Sequence, residues 1–274
     1  MTTILESDTC LKSLQRVLEQ HGQLAIAVSG GVDSMTLAVI ACRLNSATVV
    51  FHALSPAVPD LGTARVRAYA ERFNWQLHEI DAGEMDDPDY RRNPGNRCYY
   101  CKSNLYTSIR RHTNLMIASG TNLDDLDDYR PGLIAAAEQQ IIHPLVEARI
   151  NKMAVRQLAT MAGLQELSEL PASPCLSSRV TTGIAIDADL LPLIDQTEEA
   201  IRKLFHHKSG GENIRCRIRN AGITIQLDDS TAIQPEKIRA AVQQIFSNTR
   251  FAHYSAHISI EPYQQGSAFI RVMS

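Results

Sequence analysis

Leu11, Leu14 and Leu18 recur at the spacing of one helical face, with Ser7, Asp8 and Thr9 ahead of them as caps and Gly22 as a stop. After Gly22 the period changes. LAIAV (24–28) is an unbroken apolar run suited to a buried strand, and MTLAVIACRL (35–44) has helical length. TVVFHAL (48–54) reads as a second strand, GTARVRAYAERF (62–73) as a helix and WQLHEID (75–81) as a third strand. Strands returning about every 25 residues with helices between them predict a parallel sheet with right-handed crossovers. Ligands of such sheets gather at the carboxyl ends of the strands.

DAGEMDDPDYRRNPGN (81–96) is polar and rich in turn residues, which predicts a long functional or mobile loop. A helix from Cys98 to about Arg111, a fourth strand NLMIASG (114–120) and a helix NKMAVRQLATMAG (151–163) follow. ELPASPCLSSR (169–179) carries two prolines and reads as a connector, beyond which the pattern is different. An amphipathic helix (187–206), strands NIRCRIRN and AGITIQL meeting at Asn220 to Gly222, a helix IQPEKIRAAVQQIF, and strands AHISIEPY and SAFIRV make an α-β-β-α-β-β order. The fold class is therefore α/β: a parallel-sheet domain over 1–170, then a smaller α+β domain with an antiparallel sheet over 171–274.

A chain of 274 residues is long enough for two cores. Its formal net charge of -3 argues against a surface built to grip nucleic acid, and no stretch approaches the length of a membrane span. MTTILESDTC lacks the basic start and apolar run of a signal peptide, so the expected location is the cytoplasm. In that setting the six cysteines are ligands, reactive thiols or buried apolar residues, not a disulfide framework.

The first strand runs into SGGVDS (29–34) and then a helix. Gly30 and Gly31 let the backbone turn tightly, Ser29 and Ser34 offer hydroxyls, and the helix N-terminus presents N–H groups to an anion. The loop lacks the Lys-Ser or Lys-Thr pair of a Walker loop. It resembles the PP-loop of the N-type ATP pyrophosphatases, which grips the β- and γ-phosphates of ATP and leaves the α-phosphorus open. By that resemblance Asp33 helps place Mg²⁺. A second element, GTNLDDLDDYRPG (120–132), again follows a strand. It offers Gly120, Asp124 and Asp125 to metal or nucleotide and Arg130 to a phosphate, although Asp and Asn also serve as helix caps.

Cys98 and Cys101 are three residues apart at the start of a helix, where thiolate is favoured. Cys175 stands in the connector. Cys42 and Cys216 fall among apolar residues and read as packing; Cys10 has no evident partner. Three candidate thiolates fit a disulfide poorly. They leave open a zinc site, with His112 or His143 as a fourth ligand, an iron-sulfur cluster with one open iron, or no metal.

The PP-loop, RCYYCK, GTNLDDLDDYRPGL and SPCLSSR together resemble the LarE family, ATP-dependent sulfur transferases that make the nickel-pincer nucleotide cofactor. The resemblance spans most of the chain. It implies that ATP activates a carboxylate of pyridinium-3,5-biscarboxylic acid mononucleotide as an acyl-adenylate, and that sulfur then displaces AMP. In one branch the cysteine matching Cys175 gives up its own sulfur. In the other, cysteines matching Cys98, Cys101 and Cys175 hold a 4Fe-4S cluster, and having all three places this chain there by resemblance. The expected partners are a nucleotide substrate and a sulfide source, without nucleic acid or membrane, and a homo-oligomer is expected.

Arg215, Arg217 and Arg219 share one face of a strand and suit a substrate phosphate. By the same resemblance Arg179 joins them and Glu198 is catalytic. One departure stands beside Cys175, where TTGIAID follows SSRV in place of Pro-Tyr-Gly. The alternatives are an amide-forming PP-loop synthetase of the GMP or NAD kind, a tRNA thiolase, and a zinc-stabilised nucleotide-binding module.

Overall fold

The structure is a computed structural model that describes residues 2–127, 130–171, 174–205, 213–228 and 234–263, with side chains from residue 8 onward. The chain divides into two compact units: Met1–Glu84 with Asn96–Ser173, and Met85–Gly95 with Pro174–Ser274.

In the first unit α1 (Thr2–His21) leads into β1 (Leu24–Val28), α2 (Val32–Leu44), β2 (Val49–Ala53), α3 (Asp60–Phe73) and β3 (Gln76–Ile80). After a segment with the short α4 (Pro88–Arg91), which belongs to the second unit, come α5 (Arg97–His112), β4 (Met116–Ser119), α6 (Pro131–Glu138), α7 (Pro144–Glu147), α8 (Lys152–Met161) and α9 (Gln165–Ser168). The four strands are all parallel, in the order β3-β2-β1-β4. From β1 the chain steps outward through β2 and β3, then returns to add β4 on the far side of β1. A crevice opens at the carboxyl ends of β1 and β4, where that direction reverses.

LAIAV has no polar alternation because both faces of β1 are covered. Leu24, Ile26 and Val28 join Leu14, Met35 and Leu158 in one core layer, while Ala25 and Ala27 face Tyr106, Ile109 and Ala136 in the other. Ile26, Met35 and Leu37 are fully buried and contribute about 1.5–3 kcal/mol each. Two expectations change here. The first helix begins at Thr2, so Ser7, Asp8 and Thr9 lie inside it and do not cap it. Three short helices, α6, α7 and α9, come from stretches whose hydrophobic pattern is too brief to announce them.

The 81–96 stretch is anchored through its middle. Asp87 caps α4 by accepting from the Asp89 and Tyr90 amides, and the buried Tyr90 hydroxyl lies 2.6 Å from Ser177 Oγ. Asn93 is fully buried in the left-handed region (φ 53°), and its Nδ2 donates to the carbonyls of Val180, Thr181 and Ile184. Two further backbone bonds, from Gly183 to Asn93 and from Ile186 to Arg91, fix the strap within the second unit. Its turn residues serve as anchors.

The second unit continues with α10 (Leu190–Leu204), β5 (Arg215–Arg219), β6 (Gly222–Leu227), α11 (Pro235–Phe246) and β7 (Ile258–Pro262). β5 and β6 form the expected antiparallel hairpin, whereas β7 lies parallel to β6. The sheet is therefore mixed where an antiparallel one was expected. The link from β6 to β7 carries α11 as a crossover, which returns the chain in the same direction. The strand expected at SAFIRV (267–272) and the end of the helix expected to reach 206 lie outside the described residues. Among the described residues no helix is long and apolar enough to cross a membrane.

Candidate functional site

The loop closing β1 is held by its own hydroxyls. Ser34 Oγ accepts from the Ser29 amide at 3.2 Å, donates to the Gly31 carbonyl at 3.3 Å and lies 3.4 Å from Ser29 Oγ. Gly30 has φ 78°, and a Cβ there would stand 2.6 Å from the Gly62 carbonyl oxygen of α3. Gly120, just beyond β4, lies so close that a Cβ would meet the Ser34 amide nitrogen at 2.5 Å. Backbone from α3 and from the end of β4 thus packs on the loop, at the crevice of the sheet. Gly31 meets no such crowding, and so its small size leaves room at the N-terminus of α2.

Several residues that the sequence reading did not single out complete this setting. Arg65 donates to the Gly30 carbonyl at 2.7 Å. Buried His52 bridges the Val28 carbonyl and Thr63 Oγ1, each at 3.0 Å, and burial pulls its pKa below the ordinary histidine value. Asp33 receives two partners: Asn122 Nδ2 at 3.2 Å and Lys152 Nζ at 2.5 Å. Lys152 had a legible signal. It opens α8, where the helix dipole disfavours a cation, so a carboxylate partner is the natural compensation.

Asp124 and Asp125 each give an oxygen to backbone. Asp124 accepts from the Lys152 amide, and Asp125 accepts from the Asn122 amide in a capping box. The other Asp125 oxygen pairs with Arg130 at 2.8 Å. Asp33, Asn122, Asp125, Arg130 and Lys152 form one connected network beside the loop. Ser119 Oγ sits 2.8 Å from His143 Nδ1, and burial lowers the pKa of His143.

Cys98 and Cys101 are the second and fifth residues of α5, both half-buried, in the first unit. Cys175 is half-buried in the second unit, at the head of a tight turn, Leu176–Arg179. Thiols suit an iron-sulfur cluster as donors. Among the described residues no group of three or more His, Cys, Asp and Glu side chains is arranged as a metal-ion site. Burial raises the Cys42 thiol to about 12 and pushes the Cys216 thiol up as well, as packing residues require.

Around Cys175 the second unit gathers buried charge. Arg179 makes a two-pronged pair with Glu198 at 2.9 and 3.0 Å and also donates to the Pro174 carbonyl at 2.7 Å. Burial would lower its pKa, but Glu198, with Cys175 and Asp195, holds it above the ordinary arginine value. Arg215 and Arg217 are 5% and 7% exposed. Burial, followed by repulsion from Arg179, lowers both, and Arg217 is pushed down to about 10. Arg217 is braced by Gln226 and the Ser178 carbonyl, whereas Arg219 faces out to a two-pronged pair with Glu261.

A parallel α/β unit with a glycine loop at its switch point is the architecture of a Rossmann-like nucleotide-binding domain. No family model matches the chain. The chain belongs to the same family as the uncharacterized protein slr1717 of Synechocystis sp., to which it is 33% identical over 93% of this chain and 95% of that one. It is 26% identical to the uncharacterized protein MJ0830 of Methanocaldococcus jannaschii, over 80% and 83% of the two chains. A third relative, the pyridinium-3,5-bisthiocarboxylic acid mononucleotide synthase of Lactiplantibacillus plantarum, is 29% identical over 80% of this chain and 77% of that enzyme. That similarity supports the LarE family.

Proposed function

We propose that the protein is an ATP-dependent sulfur transferase acting on a pyridinium dicarboxylate mononucleotide in nickel-pincer nucleotide synthesis. The observation that carries the reading is the glycine cradle closing β1, pressed by Gly62 and Gly120 at the switch point of the sheet. The substrate class follows from the name of the Lactiplantibacillus relative.

In the first step a substrate carboxylate oxygen attacks the α-phosphorus of ATP, a P–O bond forms, and pyrophosphate leaves. Ser29, Gly30, Gly31 and Ser34 hold the departing phosphates with backbone N–H groups and hydroxyls. Asp33 is the Mg²⁺ ligand, and its present partner Lys152 is a cation already aimed at the same place. Asp124, Asp125 and Arg130 order the segment after β4, with Gly120 against the loop. In the second step sulfide attacks the acyl carbon and AMP leaves with the bonding electrons, giving a thiocarboxylate. The second carboxylate is treated likewise with a second ATP.

Arg215 and Arg217 receive the substrate phosphate. Burial, and after it repulsion from Arg179, lowers both pKa values, and a bound anion would relieve the repulsion. We assign Cys98, Cys101 and Cys175 to a 4Fe-4S cluster. When bound, such a cluster would supply iron chemistry able to carry a sulfide donor.

The test of the first step is pyrophosphate exchange into ATP, measured with and without the pyridinium dicarboxylate mononucleotide. Exchange that requires this substrate, and that falls on the order of 100-fold in Asp33→Asn, supports the reading. Exchange that is absent with this substrate would remove it.

A further inference from the structure

Arg179 is 3% exposed and all three of its guanidinium nitrogens are engaged. Nε and Nη2 grip the two oxygens of Glu198, and Nη1 reaches the carbonyls of Pro174 and Cys175, at 2.7 and 3.3 Å, and Ser178 Oγ at 3.1 Å. Glu198, on α10, is equally buried, and its Oε1 also accepts from the Cys216 amide of β5 at 2.9 Å. One ion pair thus fastens three elements of the second unit: the Cys175 turn, α10 and β5.

The turn is pinned elsewhere too. The Ser178 amide donates to the Cys175 carbonyl, Arg217 donates to the Ser178 carbonyl, and Ser177 meets Tyr90. Val180 bridges to Ile218 of β5. A buried guanidinium that donates to the carbonyls of the two peptides flanking the Cys175 α-carbon fixes the direction in which the cysteine leaves the backbone.

We propose that Arg179 and Glu198 are positioning residues for Cys175, holding the turn that presents its thiol, and are not contacts to the substrate. This rests on the sulfur-transfer reading only for what the presented thiol does. It gives Arg179 and Glu198 a different task from the phosphate-binding and catalytic roles that the family resemblance implies.

Amide hydrogen exchange on the full-length chain tests it without any assay of activity. In the unmodified protein the 174–180 segment should exchange as slowly as β5, within about threefold. In Arg179→Lys and in Glu198→Gln it should exchange at least about tenfold faster, while β6, and β5 apart from the Cys216 amide that donates to Glu198, stay within about twofold of the unmodified protein. Should either substitution unfold the unit, the apolar pair Arg179→Met with Glu198→Leu removes both charges together, which is better tolerated than leaving one buried charge alone. It predicts the same local loosening.

Fast exchange of 174–180 in the unmodified protein would overturn the proposal. So would unchanged exchange in variants that keep β5 and β6 protected, with the substrate KM raised about tenfold or more, because that outcome marks a substrate contact. If the chain makes no thiocarboxylate, the exchange result still stands. Failure of the function and failure of this inference are therefore separate results.

Discussion

Lys152 and Asp33 separate stability from function at a single ion pair. Lys152 is 38% exposed in its side chain, and a pair so open to solvent contributes less than about 1 kcal/mol to folding. Its cation lies beside the Ser29–Ser34 loop, where the proposed reaction places negative charge. Lys152→Gln should therefore shift the melting temperature by only a few degrees while raising the KM for ATP on the order of tenfold. Gly30 is the opposite case. With φ 78° and the Gly62 carbonyl in the way, Gly30→Ala should destabilise the first unit by about 2–4 kcal/mol, readable as a lower denaturation midpoint. His52 sets a pH dependence. Burial lowers its folded pKa, so as pH falls through the ordinary histidine range the unfolded chain takes up a proton that the folded chain refuses. Stability should fall on acidification below about 6.5 and be full above it, and His52→Gln should flatten part of that slope in denaturation curves at graded pH. His143 shifts the same way and should leave a residual slope.

Among the elements, the strap 85–95 shows how far local sequence reaches. DPDYRRNPGN reads as loop because Asp, Pro, Asn and Gly dominate it, and the turn chemistry is indeed present. What the pattern does not show is that Tyr90 and Asn93 are buried by residues about 90 positions downstream, since no local period encodes a distant partner. Asn93→Ala would leave three carbonyls without their donor in a buried place and strain the left-handed backbone. It should cost about 2–4 kcal/mol, seen as loss of exchange protection around Gly183 and Ile186. By contrast β1, α2, β2, α3 and β3 were legible to within a few residues, because two core layers impose their periods directly on the sequence. The glycine turn that closes β1 was legible for the same local reason. The arginines of β5 were legible as a face but not as buried, since their cover comes from the turn at Ser178 and from Tyr263. Arg65 carries no motif of its own, and only its approach to the loop in space marks it; Asn122 lies inside the quoted 120–132 stretch and Lys152 opens α8, but their shared partner Asp33 is visible only in the fold.

For the whole molecule, the three candidate cluster thiols are divided between the two compact units, two on α5 and one on the Cys175 turn. Anaerobically purified protein should contain iron and labile sulfide, with absorption near about 400 nm, and all three signals should vanish together in Cys98→Ala, Cys101→Ala and Cys175→Ala. Zinc without iron would point instead to a structural metal site. The central claim is that this chain joins ATP cleavage to sulfur transfer, and the most direct measurement follows the product itself. Incubated with ATP, Mg²⁺, the pyridinium dicarboxylate mononucleotide and sulfide, the anaerobic protein should yield, by mass spectrometry, product in which sulfur replaces a carboxylate oxygen, with one AMP and one pyrophosphate released for each replacement. Formation of an amide when ammonia is supplied, or pyrophosphate release with no sulfur in the product, would contradict the account.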